Sequence, residues 1–240
     1  MQPFSPVPET LIDTRLALHR LATYVIAPAR YRVTERFGLR STDSGFGTPV
    51  FEGRRIRVEG GEIIDENGDD VRRSPITTLN AAAEFLNAPV DPETAAEHDS
   101  PVAGDLDEEL AVDAAASLWL GDWFAAAFAA LDMVRNDAES VDASEPQLWP
   151  GHFDPAIEAG DENHRASYGA SPGDDGISEP YLYLAMWWPD RLDLDLEDPA
   201  WNAPSFKGSV LRVTDFPAGE DPVAVATTFW RDARDRLERG

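Results

Sequence analysis

The chain has 240 residues, of which 42% are hydrophobic, so it can bury one large core or two smaller ones. It carries 45 Asp and Glu residues against 20 Lys and Arg, and this acidic excess argues against nucleic acid and anionic membranes as partners, because both need a basic surface. The absence of cysteine excludes disulfides, thiol catalysis and thiolate metal sites, and it fits a cytoplasmic protein. The sequence has no uninterrupted run of about 18 apolar residues, so no transmembrane helix is expected. The N-terminal residues lack the pattern of a secretory signal.

The first half of the chain predicts a helix followed by an antiparallel meander. Residues 9–26 carry apolar side chains at helical spacing, and Pro28 is expected to end that helix. Strands are expected at 31–39, 48–51, 54–59, 62–65 and 70–73, and Asn67-Gly68 is a strong hairpin signal. The arginines of this meander are expected to pair with carboxylates across strands, with an anion site as the alternative; they are Arg54, Arg55, Arg57, Arg72 and Arg73.

A short helix capped by Thr77 or Thr78 is expected next. An acidic loop over 88–107 follows it and leads to the second half of the chain. The longest helix is expected at 106–135, where a wide apolar stripe predicts burial on more than one side. Strands follow at 181–187 and 209–213. A last helix is expected after Asp221, which has the character of an N-cap, with proline at the next position.

These elements predict an α+β fold in which an antiparallel sheet packs against the long central helix, because the strands are grouped apart from the helices. Both halves of the chain show the order helix, strands, helix. We therefore expect a single integrated domain over 1–240, or two related lobes at about 9–88 and 106–238 that are joined by the acidic loop.

The candidate site lies in residues 147–183. His152 and Asp154 are two residues apart, so on a strand they would point to the same side, where the carboxylate could orient the imidazole as a general base. Ser171 and Asp174 lie in a glycine-rich turn whose backbone amides could approach a ligand. The turn matches neither a nucleophile elbow nor a phosphate loop. Tyr181 and Tyr183, which share one face of the same strand, would add hydroxyls and aromatic walls to the pocket.

A divalent cation is the one cofactor that the sequence suggests. Nitrogen and oxygen ligands for it would come from His152, Asp154, Asp174 and Glu179. No established metal-binding spacing such as HExxH is present. We therefore expect no cofactor, with a divalent cation as the alternative.

The segments LWPGHFD, RASYGASPGD, EPYLY and WNAP resemble, in that order, a family of uncharacterised actinobacterial proteins that carry LWPxHFD, YGxSPGD and EPYxY motifs. The resemblance extends to RFGLRSTDSGFGTPVF, to PITTL with AAAEF, and to the pair Asp122-Trp123, so it spans nearly the whole chain and implies one integrated domain. It implies no known activity. More distant members replace the histidine of HFD by a small residue, which favours Asp154 over His152 as a site residue.

Taken together, the residues predict a small-molecule pocket formed by 147–183 and 201–202. Its ligand-binding residues are expected to be Trp149, Tyr168, Ser171, Asp174, Glu179, Tyr181, Tyr183, Trp201 and Asn202, together with Asp154. One alternative is a hydrolase-like enzyme, metal-assisted or using His152 and Asp154 as general base. The other is a non-enzymatic interaction or assembly protein with Trp187 and Trp188 at its interface. The oligomeric state stays open.

Overall fold

The computed structural model describes residues 2–98, 100–195 and 198–239. Helices and two five-stranded antiparallel sheets make up these ranges, so the α+β prediction is confirmed. Asp99 in the acidic loop and residues 196–197 lie outside the described residues. The helices are α1 (Leu11–Leu21), α2 (Ala27–Thr34), α3 (Leu79–Leu86), α4 (Pro92–Ala96), α5 (Ala114–Arg135) and α6 (Pro222–Leu237).

The chain forms two compact units. The meander unit consists of Ser5–Ala125 and Leu148–Phe153. The C-terminal unit consists of the described residues of Met1–Phe4, Ala126–Gln147 and Asp154–Gly240. Helix α5 contributes residues to each unit. Whether the units behave as one integrated domain, and whether the lobes at 9–88 and 106–238 are related, stays a prediction.

The sheet of the meander unit follows the chain order of its strands without crossovers. Two tight turns of this sheet, one before its third strand and one between its fourth and fifth strands, are predicted from the glycine-containing pairs Glu52-Gly53 and Asn67-Gly68. At one of them Glu52 and Gly53 both have positive φ, and at the other Gly68 does, as two-residue hairpins require. The strands are β1 (Arg40–Thr42), β2 (Gly45–Gly47), β3 (Arg54–Glu59), β4 (Glu62–Asn67) and β5 (Asp70–Pro75).

The prediction that Pro28 ends the first helix is wrong. A π-helical turn, Ala22–Ile26, joins α1 to α2, and the helical path continues to Thr34. Proline has no N–H and its ring clashes with the carbonyl four residues earlier, so an uninterrupted α-helix is unfavourable there. The wider π-turn relieves this conflict. The strand predicted at 31–39 is therefore also wrong, because its first residues are helical and Glu35 ends α2 in the left-handed region.

The arginines of the meander pair with carboxylates across strands, as predicted. Arg54 makes two hydrogen bonds to the buried carboxylate of Asp65, at 2.7 and 3.1 Å. Glu66 accepts from Arg55 and Arg57 at 2.5 and 2.9 Å. The remaining pairs join Arg72 to Asp65 and Arg73 to Glu59 and Glu62.

Two helix starts follow from side-chain caps. Thr78 accepts a hydrogen bond from the backbone N–H of Ala81 at 3.0 Å, which confirms the predicted cap of α3. Helix α5 begins at Ala114, eight residues later than the predicted start at 106, because Asp113 caps it by accepting from the N–H of Ala116 at 2.9 Å. By length and composition α5 is apolar enough to cross a membrane, but 61% of its apolar window is buried inside the protein, as in a core helix.

The second sheet has the strand order β10-β9-β8-β7-β6, and its long strands belong to the C-terminal unit. Helix α6 packs on β9, where the buried Trp230 donates its Nε1–H to the carbonyl of Tyr183 at 2.9 Å. The strands are β6 (Gln147–Trp149), β7 (Asp154–Ala159), β8 (Ala166–Ser171), β9 (Tyr181–Met186) and β10 (Gly208–Arg212).

Candidate functional site

Strand register brings several of the predicted site residues to one face of the second sheet. Gly169 pairs with Tyr183, and Ser171 pairs with Tyr181, across β8 and β9. Ala156 of β7 pairs with Gly169, so Asp154, two residues earlier on β7, shares their face. Alternation along the strands therefore gathers residues that are up to 29 positions apart in the chain.

Two short hydrogen bonds join tyrosines of β9 to carboxylates. The hydroxyl of Tyr183 donates to Oδ2 of Asp154 at 2.5 Å, and the hydroxyl of Tyr181 donates to Oδ2 of Asp174 at 2.5 Å. The two rings lie 6.1 Å apart between centroids. We name Asp154, Ser171, Asp174, Tyr181 and Tyr183 the phenol–carboxylate cluster. Asp154, Ser171 and Tyr181 are buried, whereas Asp174 is exposed and brings the cluster to the surface.

The turn between β8 and β9 is held by the side chains of the cluster. Oδ1 of Asp174 accepts from the backbone N–H groups of Gly176 and Ile177, both at 2.7 Å. The hydroxyl of Ser171 accepts from the N–H of Gly173 at 3.1 Å. These bonds satisfy backbone donors of the turn and fix the position of the Asp174 carboxylate.

A glycine in the middle of β8 makes room for the Tyr183 ring. A Cβ added at Gly169 would lie 2.3 Å from both Cζ and Oη of Tyr183, closer than any real contact. The ring therefore lies over the bare backbone of Gly169 and reaches Asp154 on the next strand. The sequence predicts a glycine-rich turn here, whereas residues up to Ser171 belong to strand β8, so the contact of Gly169 with the Tyr183 ring was missed. A glycine inside a strand marks such a close approach.

Burial and the neighbouring carboxylates keep both phenols protonated. Burial, followed by the charge of Asp154, raises the pKa of Tyr183 well above its ordinary value. Burial, followed by the hydrogen bond to Asp174, raises the pKa of Tyr181. At neutral pH the two tyrosines are therefore hydrogen-bond donors and cannot act as general bases, while the carboxylates are the acceptors of the cluster.

Tyr168 points away from the cluster. It is paired with Ile157 and Leu184 and lies one residue before Gly169, so its side chain projects from the opposite face of the sheet. There it lines a small cleft with Arg234 and Glu238, whose volume of ≈ 10 Å³ holds about one water molecule. The structure thus does not place Tyr168 with Tyr181 and Tyr183.

The remaining predicted residues of the C-terminal unit have structural partners. The side-chain amide of Asn202 extends the edge of β10, donating to the carbonyl of Val210 at 3.0 Å and accepting from its N–H at 2.7 Å. Glu179 accepts from the Thr214 hydroxyl at 2.6 Å. The Trp201 ring lies 6.0 Å from the guanidinium carbon of Arg236.

His152 and Trp149 belong to the meander unit, whereas Asp154 belongs to the C-terminal unit. The expectation that His152 and Asp154 lie on one strand is wrong. His152 is an exposed residue of a turn, and Phe153 has a φ of 56°, which interrupts the extended backbone before β7 begins at Asp154. The alternation argument for these two side chains therefore does not apply.

A metal site is not visible in the parts of the chain that the structure describes, where no three His, Asp or Glu side chains converge. The divalent cation at His152, Asp154, Asp174 and Glu179 therefore stays a prediction. Comparison of the chain with models of protein families, with curated proteins and with solved structures finds no match.

Proposed function

We propose that the protein binds a small organic molecule at the phenol–carboxylate cluster of its C-terminal unit. The observation that carries this proposal is the pair of 2.5 Å bonds by which Tyr183 and Tyr181 contact Asp154 and Asp174 on one sheet face. A buried carboxylate costs free energy unless it is hydrogen-bonded, so a cluster of this kind is a candidate for a functional site as well as for a structural one.

The chemistry of the cluster indicates the kind of ligand. Its carboxylates accept hydrogen bonds and its aromatic rings offer apolar surface, with Phe206 packed against Tyr183 at a centroid distance of 6.1 Å. A ligand with O–H or N–H donors on an apolar frame matches both features. The formal net charge of -25 further favours a neutral or cationic molecule over an anion.

The test is thermal unfolding of the protein with panels of amines, polyols and divalent cations, and with EDTA. A ligand that binds only the folded state raises the melting temperature. We expect a hit whose effect is lost in Tyr183→Phe, which removes one hydroxyl of the cluster, and kept in the matched control Tyr31→Phe in the meander unit. A hit that stabilises both variants equally would place binding elsewhere, and no hit among the organic molecules would contradict the proposal.

A role in protein assembly is the second proposal, and it is supported by two exposed aromatic residues. Trp187 and Trp188 expose 40% and 44% of their surfaces just after β9, although each has an arginine over its ring. Tryptophan and arginine are enriched at protein interfaces. Light scattering of the protein and of Trp188→Ala tests this: a monomeric wild-type protein would remove self-assembly through this surface.

Two broader assignments are part of the proposal. The cysteine-free composition supports a cytoplasmic location, which cell fractionation would test. The motifs around Asp154, Ser171 and Tyr181 support membership of the actinobacterial family that the sequence resembles. An alignment in which these three positions vary freely would argue against the proposed site.

A further inference from the structure

The arginines of the described residues are mostly neutralised by carboxylates. The five arginines of strands β3 and β5 have such partners, so the anion site that was the alternative interpretation of these arginines is not supported. Arginines of the helices behave in the same way, as with Arg20 and Glu108 or Arg32 and Asp91. In a chain with 45 acidic residues, an arginine without a carboxylate partner is therefore informative where it is also buried.

Arg30 on α2 is such a residue. It exposes only 9% of its surface, and its Nη1 donates to the backbone carbonyl of Gly38. Its Nε is enclosed without a hydrogen-bond partner. Among residues 2–98, 100–195 and 198–239, Nη2 has no hydrogen-bond partner and no carboxylate lies within ion-pair distance of the guanidinium. Burying a charged group without an opposite charge is costly.

The positive charge of Arg36 adds to this cost. Burial, followed by repulsion from Arg36, lowers the pKa of Arg30. Arg36 is exposed and lies in the turn that follows α2, where its backbone N–H donates to the hydroxyl of Thr34 at 3.2 Å. The Arg30 guanidinium is bonded to Gly38, two residues after Arg36, so the backbone of Arg36 lies in the segment to which Arg30 is bonded.

We propose that Arg30 and Arg36 form a binding site for an oxyanion, either a phosphate or a carboxylate group of a ligand. A guanidinium presents N–H donors in a planar fork that matches two oxygens of such a group. Nη2 of Arg30 supplies one donor, and the exposed Arg36 supplies the second. The site lies in the meander unit and does not depend on the phenol–carboxylate cluster.

The experiment measures melting temperature against the concentration of inorganic phosphate, and separately of acetate, with sodium chloride at the same ionic strength as reference. Apparent dissociation constants follow from the dependence of stability on ligand concentration. The key variant is Arg36→Gln, because Arg36 is exposed and its loss leaves the core intact. The matched control is Arg40→Gln, another exposed arginine of the same unit.

We expect phosphate or acetate to stabilise the wild-type protein more than chloride does. Arg36→Gln should weaken the apparent affinity by about tenfold, the effect of one charge-assisted hydrogen bond, and Arg40→Gln should leave it unchanged. Stabilisation by phosphate alone that Arg36→Gln reduces would identify a phosphoryl ligand, and such stabilisation by acetate alone a carboxylate, because the general stabilising effect of a salt would be the same in both proteins. Equal effects of all three salts, or an unchanged affinity in Arg36→Gln, would overturn the proposal.

Discussion

Substitution of Gly169 by alanine tests the geometry of the phenol–carboxylate cluster directly. The added methyl group would lie 2.3 Å from Cζ and Oη of Tyr183 and 2.6 Å from its Cε1. The backbone carbonyl of Tyr183 accepts a hydrogen bond from Trp230, which holds the main chain of Tyr183 in place. The clash is therefore relieved only if the phenol ring moves away from β8. That movement breaks the hydrogen bond from Tyr183 to Asp154.

The expected cost is the sum of two effects. Overpacking in a well-packed interior costs about 1–3 kcal/mol, and loss of a hydrogen bond to a charged group costs about 1.5–3 kcal/mol. We therefore expect Gly169→Ala to lower the free energy of unfolding by about 3 kcal/mol, taking part of each effect. For a chain of this length such a change lowers the melting temperature by roughly 10 °C.

Urea unfolding of a double-mutant cycle measures the coupling. Tyr183→Ala removes the ring, so the alanine at Gly169 should be nearly neutral in that background, and the two substitutions should be non-additive by about 3 kcal/mol. Gly61→Ala is the matched control, because no atom lies within 4 Å of its added Cβ, and it should change stability by less than about 0.5 kcal/mol. Additive effects in the cycle would refute the contact between the Gly169 backbone and the Tyr183 ring.

Three further predictions concern the meander unit. Thr78→Ala should lower stability by about 1 kcal/mol through loss of the α3 cap, whereas Thr77→Ala should not; equal costs in urea unfolding would contradict the cap. Gly121→Ala should cost more than about 2 kcal/mol, because its Cβ would lie 2.7 Å from the backbone nitrogen of Gly45, and a stable variant would exclude this close approach. Burial lowers the pKa of His19 to about 4, so stability from the neutral imidazole is complete above pH 6.5 and is lost as the pH falls towards 4. The loss is about 3 kcal/mol, and unfolding curves of His19→Gln should lack it.

Local chemistry explains which elements were predictable from the sequence. The cap at Thr78, the hairpin at Asn67-Gly68 and the cap at Asp221 each depend on hydrogen bonds or backbone angles within a few residues. Their signals are therefore present in short stretches of sequence. Strands β3 to β5 and the last helix follow from such local signals, whereas β1 and β2 lie outside the strands predicted at 31–39 and 48–51.

Elements that depend on distant residues were not predictable. A proline normally ends a helix, but α1 and α2 are joined through a π-turn whose residues are all buried. Thr23 in that turn donates its hydroxyl to the carbonyl of Pro150 at 2.7 Å, a contact across 127 positions. A hydrogen bond of this range leaves no local pattern, so tertiary packing overrides the usual effect of Pro28.

The sequence predicted the common face of site residues only where they lie on the same strand, because side chains alternate between the two faces along a strand. Tyr181 and Tyr183 lie two apart on one strand, so their common face followed from the sequence. Tyr168 is on another strand, and its face depends on the register that pairs Gly169 with Tyr183. A shift of one residue would have reversed its side. Register is set by the whole sheet and its turns, which is why the predicted pocket mixed residues of both faces.

The charge distribution explains why the two proposed sites differ in kind. In an acidic chain a carboxylate needs hydrogen-bond donors, and in the C-terminal unit Asp154 and Asp174 receive hydrogen bonds from the phenols of Tyr183 and Tyr181. Phenols that stay protonated stabilise a carboxylate without neutralising it, so the cluster keeps its attraction for a donor or cation. Arg30 presents the opposite case, a buried cation whose one partner among the described residues is the backbone carbonyl of Gly38. The carboxylates of the cluster thus favour a ligand with hydrogen-bond donors, whereas the guanidinium of Arg30 favours a ligand with acceptor oxygens.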